Sequence, residues 1–368
     1  MPILLAFPLV ALYDTHGKRW GGGILSRRVL CLSIGNSTVP TLKLNDGHEI
    51  PRLALGTWLG LSSKNQPPAG NDTQQAVLWA LEAGYTHIDT AYIYKIEDQV
   101  GRALTKKFEE GVKREDIFVT TKLWNDAHAR EAVVPALRRS LKDLNLDYVD
   151  LYLIHWPIPQ SVYHITYVEI SKKYCYFLFS QLNFTYYEAD YVDTWRGMIE
   201  AKSLGLTKSI GLSNFNKTQI DRLLELGLEK PAALQVELNL NLQQPDLVSY
   251  CKQQDIAVMA YTPFGSLFYN KAKSEAPPPR IDEPALLEIA NKYNKTVPQI
   301  ALRYLVELGV IPLPKSVTKS RIEQNLQVFD FELTSSERDL LKSYDKNYRT
   351  FPALHWADHP YYAFERKN

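Results

Sequence analysis

Residues 117–155 read IFVTTKLWNDAHAREAVVPALRRSLKDLNLDYVDLYLIH, and their pattern decides the fold. Ile117–Lys122 and Val149–His155 are short runs of apolar and β-branched residues, of strand length. Between them Ala132–Leu144 repeats its apolar residues three to four apart, which gives a helix one apolar face. Strand, helix and strand in this order form a crossover unit, so the two strands lie parallel in one sheet.

The same alternation continues on both sides. Further strands are predicted at Leu53–Gly56, His87–Asp89, Ser209–Ser213, Ala233–Glu237, Ala257–Tyr261 and Val310–Pro314. Further helices are predicted at Thr73–Ala83, Glu97–Glu109, Val192–Leu204, Thr218–Leu226, Pro245–Gln253, Pro284–Tyr293 and Ser320–Val328. Eight such alternations over roughly 280 residues fit an α/β protein of the (β/α)8 TIM-barrel class. An open doubly wound sheet would carry Gly-x-Gly-x-x-Gly after its first strand, which this chain lacks. Ahead of the first strand, Thr41–Pro51 with Asp46-Gly47 at its turn reads as an N-terminal β-hairpin that plugs the barrel floor.

Residues 41–368 are therefore expected to form a single barrel domain behind a poorly defined extension, residues 1–40. Met1–Leu12 is as apolar as a signal segment, yet it lacks a basic stretch before it and is too short to span a bilayer. After the fourth strand, residues 160–187 form an unusual insert rich in Tyr and Phe, either a lid over the barrel mouth or an irregular insertion. Asp345–Asn368 is a C-terminal tail loop. A net charge of +1 argues against nucleic-acid or membrane partners held by electrostatics. Cys31, Cys175 and Cys251 are far apart and read as reduced thiols of a cytosolic protein. No metal is expected, since His355 and His359 have no third ligand near them in the sequence.

Three polar residues stand at or just past strand ends: Asp89, Lys122 and His155, and Tyr94 follows Asp89 by five positions. In neighbouring parallel strands they meet at one rim, where barrels of this type carry their chemistry. An acid, an ammonium, an imidazole and a phenol suit proton transfer to or from a carbonyl oxygen. A phenol titrates at about 10 unless perturbed, and a neighbouring cation lowers that value, so Lys122 is expected to make Tyr94 a better acid. Asp89 is placed to anchor Lys122, and His155 to orient a carbonyl. Taken singly, each residue suits a packing, solvated or structural role as well. A Schiff-base aldolase using Lys122 is a competing chemistry, which requires that lysine to be unpaired.

The surrounding motifs resemble those of the aldo-keto reductase family. Gly84–Tyr94 (GYTHIDTAYIY) with Glu97 and Val100-Gly101 is similar to its first signature, and Leu153–Pro157 (LIHWP) and Gly211–Phe215 (GLSNF) to its middle motifs. Ile311–Val317 (IPLPKSV) is similar to its C-terminal signature. The resemblance implies a catalytic tetrad of Tyr94, Lys122, Asp89 and His155, with Tyr94 as general acid. It implies substrate walls from His155, Trp58, Trp124 and Trp156. Tyr92 and Ile96 depart from the family pattern beside Tyr94.

The resemblance also implies NADPH/NADP+ lying extended across the barrel mouth. Ser213, Asn214 and Gln235 would bond its carboxamide, Tyr261 would stack under the nicotinamide, and Thr57 and Asp89 would be further contacts. Pro263, Gly265 and Ser266 would cover the pyrophosphate, and Gln324 and Asn325 would lie against adenine. Lys315, Ser316, Thr318 and Arg321 surround a strand-to-helix turn suited to a 2′-phosphate, though a basic solvated turn reads the same way. The expected function is NADPH-dependent reduction of small-molecule aldehydes and ketones to alcohols by a monomer. The alternative is a redox-sensing, cofactor-binding regulatory subunit of the same fold with little turnover. The insert, Leu267–Arg280 and the tail are the loops expected to select the substrate.

Overall fold

The computed structural model describes residues 39–60, 70–160 and 189–365. The extension 1–40 and the insert 160–187 lie outside them, apart from Val39, Pro40 and Gln160. β1 (Thr41–Lys43) and β2 (Glu49–Pro51) pair antiparallel across the Asp46-Gly47 turn. Eight strands then form one all-parallel sheet in chain order: β3 (Leu55–Gly56), β4 (His87–Asp89), β5 (Phe118–Leu123), β6 (Val149–Ile154), β7 (Thr207–Ser213), β8 (Ala233–Glu237), β9 (Ala257–Tyr261) and β10 (Ile311–Pro312). A parallel bridge between Gly56 and Lys315 joins the first strand to the last, so the sheet closes into the (β/α)8 barrel.

The two seam strands are shorter than predicted. Ala54 N donates to Pro312 O (3.2 Å) and Gly56 N to Pro314 O (3.1 Å), but the two prolines have no N–H to return. The ladder there is one-sided. Gly56 is required at this seam, because a Cβ on it would stand 2.9 Å from Leu313 O.

Helices α1 (Asp72–Ala83), α2 (Glu97–Glu109), α3 (Arg130–Leu144), α4 (Tyr191–Ser203), α5 (Lys217–Glu225) and α6 (Pro245–Gln253) follow the expected spans to within two residues. α7 (Pro284–Lys292) and α9 (Lys319–Leu326) also form as expected. Two helices were not expected, α8 (Val297–Glu307) and α10 (Ser335–Ser343). Both begin with a capping box, Thr296 with Gln299 and Thr334 with Glu337, which is their signal in the sequence.

Side chains alternate along each strand, and that alternation separates two cores. On β6, Leu151 and Leu153 point inward and pack with Phe118, Ala233, Met259, Ile311 and Leu313. Tyr152 and Ile154 point outward into the helix layer with Val100, Leu137, Trp195 and others. Leu44 and Ile50 of the hairpin join the inner cluster, so the hairpin is the floor of the barrel. Burying such a side chain stabilises by about 1.5–3 kcal/mol. Asn45 fastens the floor by donating to Pro231 O (2.8 Å) and Asp255 O (2.9 Å) at the bases of two strands. Among the described residues, no helix is long and apolar enough to cross a membrane.

Behind the strand layer, Glu97 opens α2 and accepts from Thr121 Oγ1. Burial raises its carboxyl to about 7, opposed by bonds from Thr121 and Ser140. The raised value means the folded state holds the proton more tightly, so this stability is present below pH 4.5 and is lost as pH rises to about 7. The shift corresponds to about 3 kcal/mol. Glu97→Gln should therefore gain melting temperature over the unaltered protein at pH 8, relative to the difference between them at pH 5. An equal difference at both pH values would contradict this.

Candidate active site

Inward parity brings Asp89, Lys122 and His155 to the upper rim of three neighbouring strands. Asp89 closes β4, Lys122 is the fifth residue of β5, and His155 follows β6. β4 is succeeded by a tight turn at Tyr92–Tyr94, closed by Lys95 in the left-handed region (φ 58°). That turn folds Tyr94 back over Lys122. Ile96, buried in the outer core, anchors the turn from below.

Lys122 Nζ is fully buried and donates to Asp89 Oδ1 (2.6 Å), Thr90 O (2.9 Å) and Tyr94 Oη (3.4 Å). An ammonium has three N–H groups, and all three are used. The bond to Tyr94 occupies the acceptor side of the phenol, which leaves the phenol proton free for another acceptor. Asp89 is held in turn: Gln235 Nε2 donates to its other carboxylate oxygen (2.8 Å), and Thr57 donates to its backbone carbonyl through N (3.1 Å) and Oγ1 (2.9 Å). Asn214 Nδ2 donates to His155 O (2.9 Å), so the strand end that presents the imidazole is braced. His155 Nδ1 is buried and makes no hydrogen bond within the described residues.

Burial holds the Lys122 ammonium below its usual value, and Asp89 at 2.6 Å offsets only part of that lowering. Burial and then the Lys122 charge hold His155 well below 6.5, so its ring is neutral at physiological pH. Tyr94 departs from expectation. Burial, and then the Asp89 charge, push its hydroxyl well above 10 rather than towards neutrality. The sequence shows the cation and the carboxylate near the phenol, but not the burial that, together with that carboxylate, outweighs the cation. The consequence is a phenol that stays protonated and keeps its proton available.

Aromatic rings wall the site. Trp58, 41% exposed, packs on Tyr94 with ring centres 4.8 Å apart, and Trp124 packs edge-on against His155 at 5.2 Å. Trp156 is buried. It supports Trp356 (4.9 Å) and Phe351 (6.0 Å) from the tail, and Trp356 reaches Trp124 (6.2 Å). Trp356 and Phe351 were missed in the sequence. Their signal is the aromatic spacing Phe351, Trp356, Tyr362 and Phe364 in the tail that the sequence marks as a substrate-selecting loop without singling out these rings.

The residues expected at a nicotinamide lie beside this set. Ser213 closes β7, Asn214 follows it in the left-handed region (φ 62°), and Gln235 lies on β8 in register with Ser213. Tyr261 closes β9 and donates to Asn214 Oδ1 (2.7 Å). Pro263, Gly265 and Ser266 continue from it, and a Cβ on Gly265 would collide with Asn239 at 2.5 Å. Lys315, Ser316, Thr318 and Arg321 lie at the start of α9, with Gln324 exposed and Asn325 buried further along it. Partial burial and then the charge of Lys271 lower the Lys315 ammonium. Lys315 precedes and Arg321 lies within the first turn of α9, whose start favours an anion, so the residues present fit a phosphorylated dinucleotide.

A sequence model of the aldo/keto reductase family matches residues 52–346. The chain is similar to aldo-keto reductase AKR2E4 of Bombyx mori, at 47% identity over 324 residues, covering 88% of this chain and 98% of that protein. It is also similar to aldo-keto reductase family 1 member C18 of Rattus norvegicus, at 41% identity over 332 residues, covering 89% and 98%. The crystal structure of AKR2E4 in complex with NADP superposes with a TM-score of 0.78 at 45% identity, covering 89% of this chain and 99% of that one. The silkworm AKR2E5 complexed with NADPH gives 0.80 at 41%, covering 89% and 94%.

The neutral state of His155 is measurable. Nitrogen-detected NMR of histidine-labelled protein, assigned by difference from His155→Gln, should show this ring still neutral at a pH of about 6.5, where an unperturbed imidazole is half protonated. A midpoint at the unperturbed value would contradict the burial argument.

Proposed function

The chain belongs to the aldo/keto reductase family, and from that membership we propose that it reduces aldehydes and ketones to alcohols with NADPH. The observation that carries the reading is the rim itself, where a phenol lies 3.4 Å from an ammonium that is paired at 2.6 Å to a buried carboxylate, with His155 alongside. Ser213, Asn214, Gln235 and Tyr261 would hold the nicotinamide end. Pro263, Gly265 and Ser266 would lie along its middle, with Thr57 and Asp89 as further contacts. Lys315, Ser316, Thr318 and Arg321 would take the 2′-phosphate, with Gln324 and Asn325 at the adenine. Bound there, NADPH supplies the hydride.

The protein's own groups handle the oxygen of the carbonyl. His155, neutral, donates a ring N–H to it and fixes its direction. As that oxygen gains negative charge, Tyr94 transfers its hydroxyl proton to it, completing the alcohol. The phenolate left behind is stabilised by Lys122, and a proton from solvent restores the phenol. Asp89 and Gln235 keep the ammonium in place throughout. Trp58, Trp124 and Trp156 are the walls against which an apolar substrate packs, with water excluded. With all three Lys122 protons engaged, no lone pair is available for a Schiff base. The same reading takes residues 41–368 as one barrel domain working as a cytosolic monomer, in keeping with the near-neutral charge and scattered cysteines.

Steady-state oxidation of NADPH across an aldehyde panel tests the reading, because a cofactor-sensing subunit would bind NADPH without consuming it. Tyr94→Phe should lower turnover by about 10²–10⁴-fold while leaving NADPH affinity intact. Equal turnover would remove the proton-donor role. Lys315→Ala should weaken NADPH by about tenfold or more through loss of a charge-assisted contact, with NADH unaffected. Equal weakening of both would displace the 2′-phosphate from this turn.

A further inference from the structure

Glu237 closes β8 two residues beyond Gln235 and faces the same way. Its carboxylate is fully buried, yet its bonds run away from the four polar groups of the rim and into the tail. Oε1 accepts from Thr350 N (2.7 Å), Thr350 Oγ1 (2.5 Å) and Asn239 Nδ2 (3.3 Å), and Oε2 accepts from Phe351 N (3.0 Å). Four donors meet one buried carboxylate, which is what makes its burial tolerable.

The adjoining loop adds a second hold. Asn241 O accepts from Lys346 N (3.1 Å) and Tyr348 N (2.9 Å), so the tail is tied to the β8 end at two successive places. Immediately beyond these ties come Phe351 and Trp356, which complete the aromatic wall against Trp156 and Trp124. Phe351 is 48% exposed and Leu354 61% exposed, so the held segment presents apolar surface outward as well as inward.

We infer that Glu237 is a positioning residue, which pins the tail to the barrel rim and through it selects large apolar carbonyls over small ones. The inference rests on the reductase reading. A large aldehyde needs Phe351 and Trp356 in place, and its apparent affinity falls in proportion as the fraction of molecules with a pinned tail falls. A small aldehyde is bound within reach of Tyr94, His155 and Trp124 and does not meet the tail.

Glu237→Gln is nearly isosteric but turns an amide N–H₂ towards backbone N–H donors. KM for a long-chain or aromatic aldehyde should rise about tenfold, with kcat, and both constants for a two- or three-carbon aldehyde, within about twofold of the original. Tryptic cleavage after Lys346 and Arg349 should accelerate about fivefold or more, since a released tail opens locally. Should that variant fail to fold, Thr350→Val, which removes only one donor, must show the same pattern at smaller size. Unchanged cleavage, or a loss shared equally by large and small aldehydes, overturns the inference. If the unaltered protein turns over neither aldehyde, the reductase reading and the selectivity fall together, and the cleavage comparison alone decides whether Glu237 pins the tail.

Discussion

The buried pair of Lys122 and Asp89 is the constraint on which the barrel mouth depends. A lysine with no exposed surface is tolerable only where its charge is answered at contact distance, and Asp89 answers it at 2.6 Å. Removing one partner of such a pair costs about 3–5 kcal/mol, because the other is left charged and dry. The surrounding groups serve this pair. Gln235 and Thr57 fix Asp89 from two sides, and Thr90 O and Tyr94 Oη take the remaining lysine protons. A pair of this kind, replaceable by apolar residues where stability alone mattered, is readily understood where a proton has to be handled.

The barrel turns that pair into a site by parity. The inward-facing residues of β5, β6 and β8 begin apolar, with Phe118, Leu151 and Ala233, above a floor that the hairpin closes with Leu44 and Ile50, whereas β4 and β7 carry the buried polar His87 and Ser209 there. Two to four residues further on they become Asp89, Lys122, His155, Ser213 and Gln235. The register of the parallel strands steps the first three upward in turn, with Asp89 opposite Thr120 and Lys122 opposite Leu153, each one inward position short of the next polar residue, while Ser213 stands directly opposite Gln235. One frame-shift in any strand would turn its polar residue into the helix layer.

Much of this was legible in the chain. The spans of α2 and α6, and of β4, β8 and β9, follow from periodicity to the residue, since each element's pattern is set by its own neighbours. What escaped is what depends on distant partners. The seam strands are short because Pro312 and Pro314 face Ala54 and Gly56 across the closure, which no local pattern records. The acidity of Tyr94 was expected to move one way and moves the other, since burial and Asp89 outweigh the visible cation. Glu237 meets Thr350 across 113 positions of chain, and only its inward phase with Gln235 hints that a carboxylate there needs partners.

The central claim is that the Lys122–Asp89 pair is there for proton transfer and not only for packing. The double variant Asp89→Asn/Lys122→Met removes both charges together, so neither is stranded, and its melting temperature should stay close to that of the unaltered protein. The decisive measurement is the single-turnover rate of NADPH oxidation by an aldehyde in this folded double variant. The account predicts a fall of about 10²–10⁴-fold with NADPH still bound. A rate equal to that of the unaltered protein would make the pair structural and contradict it.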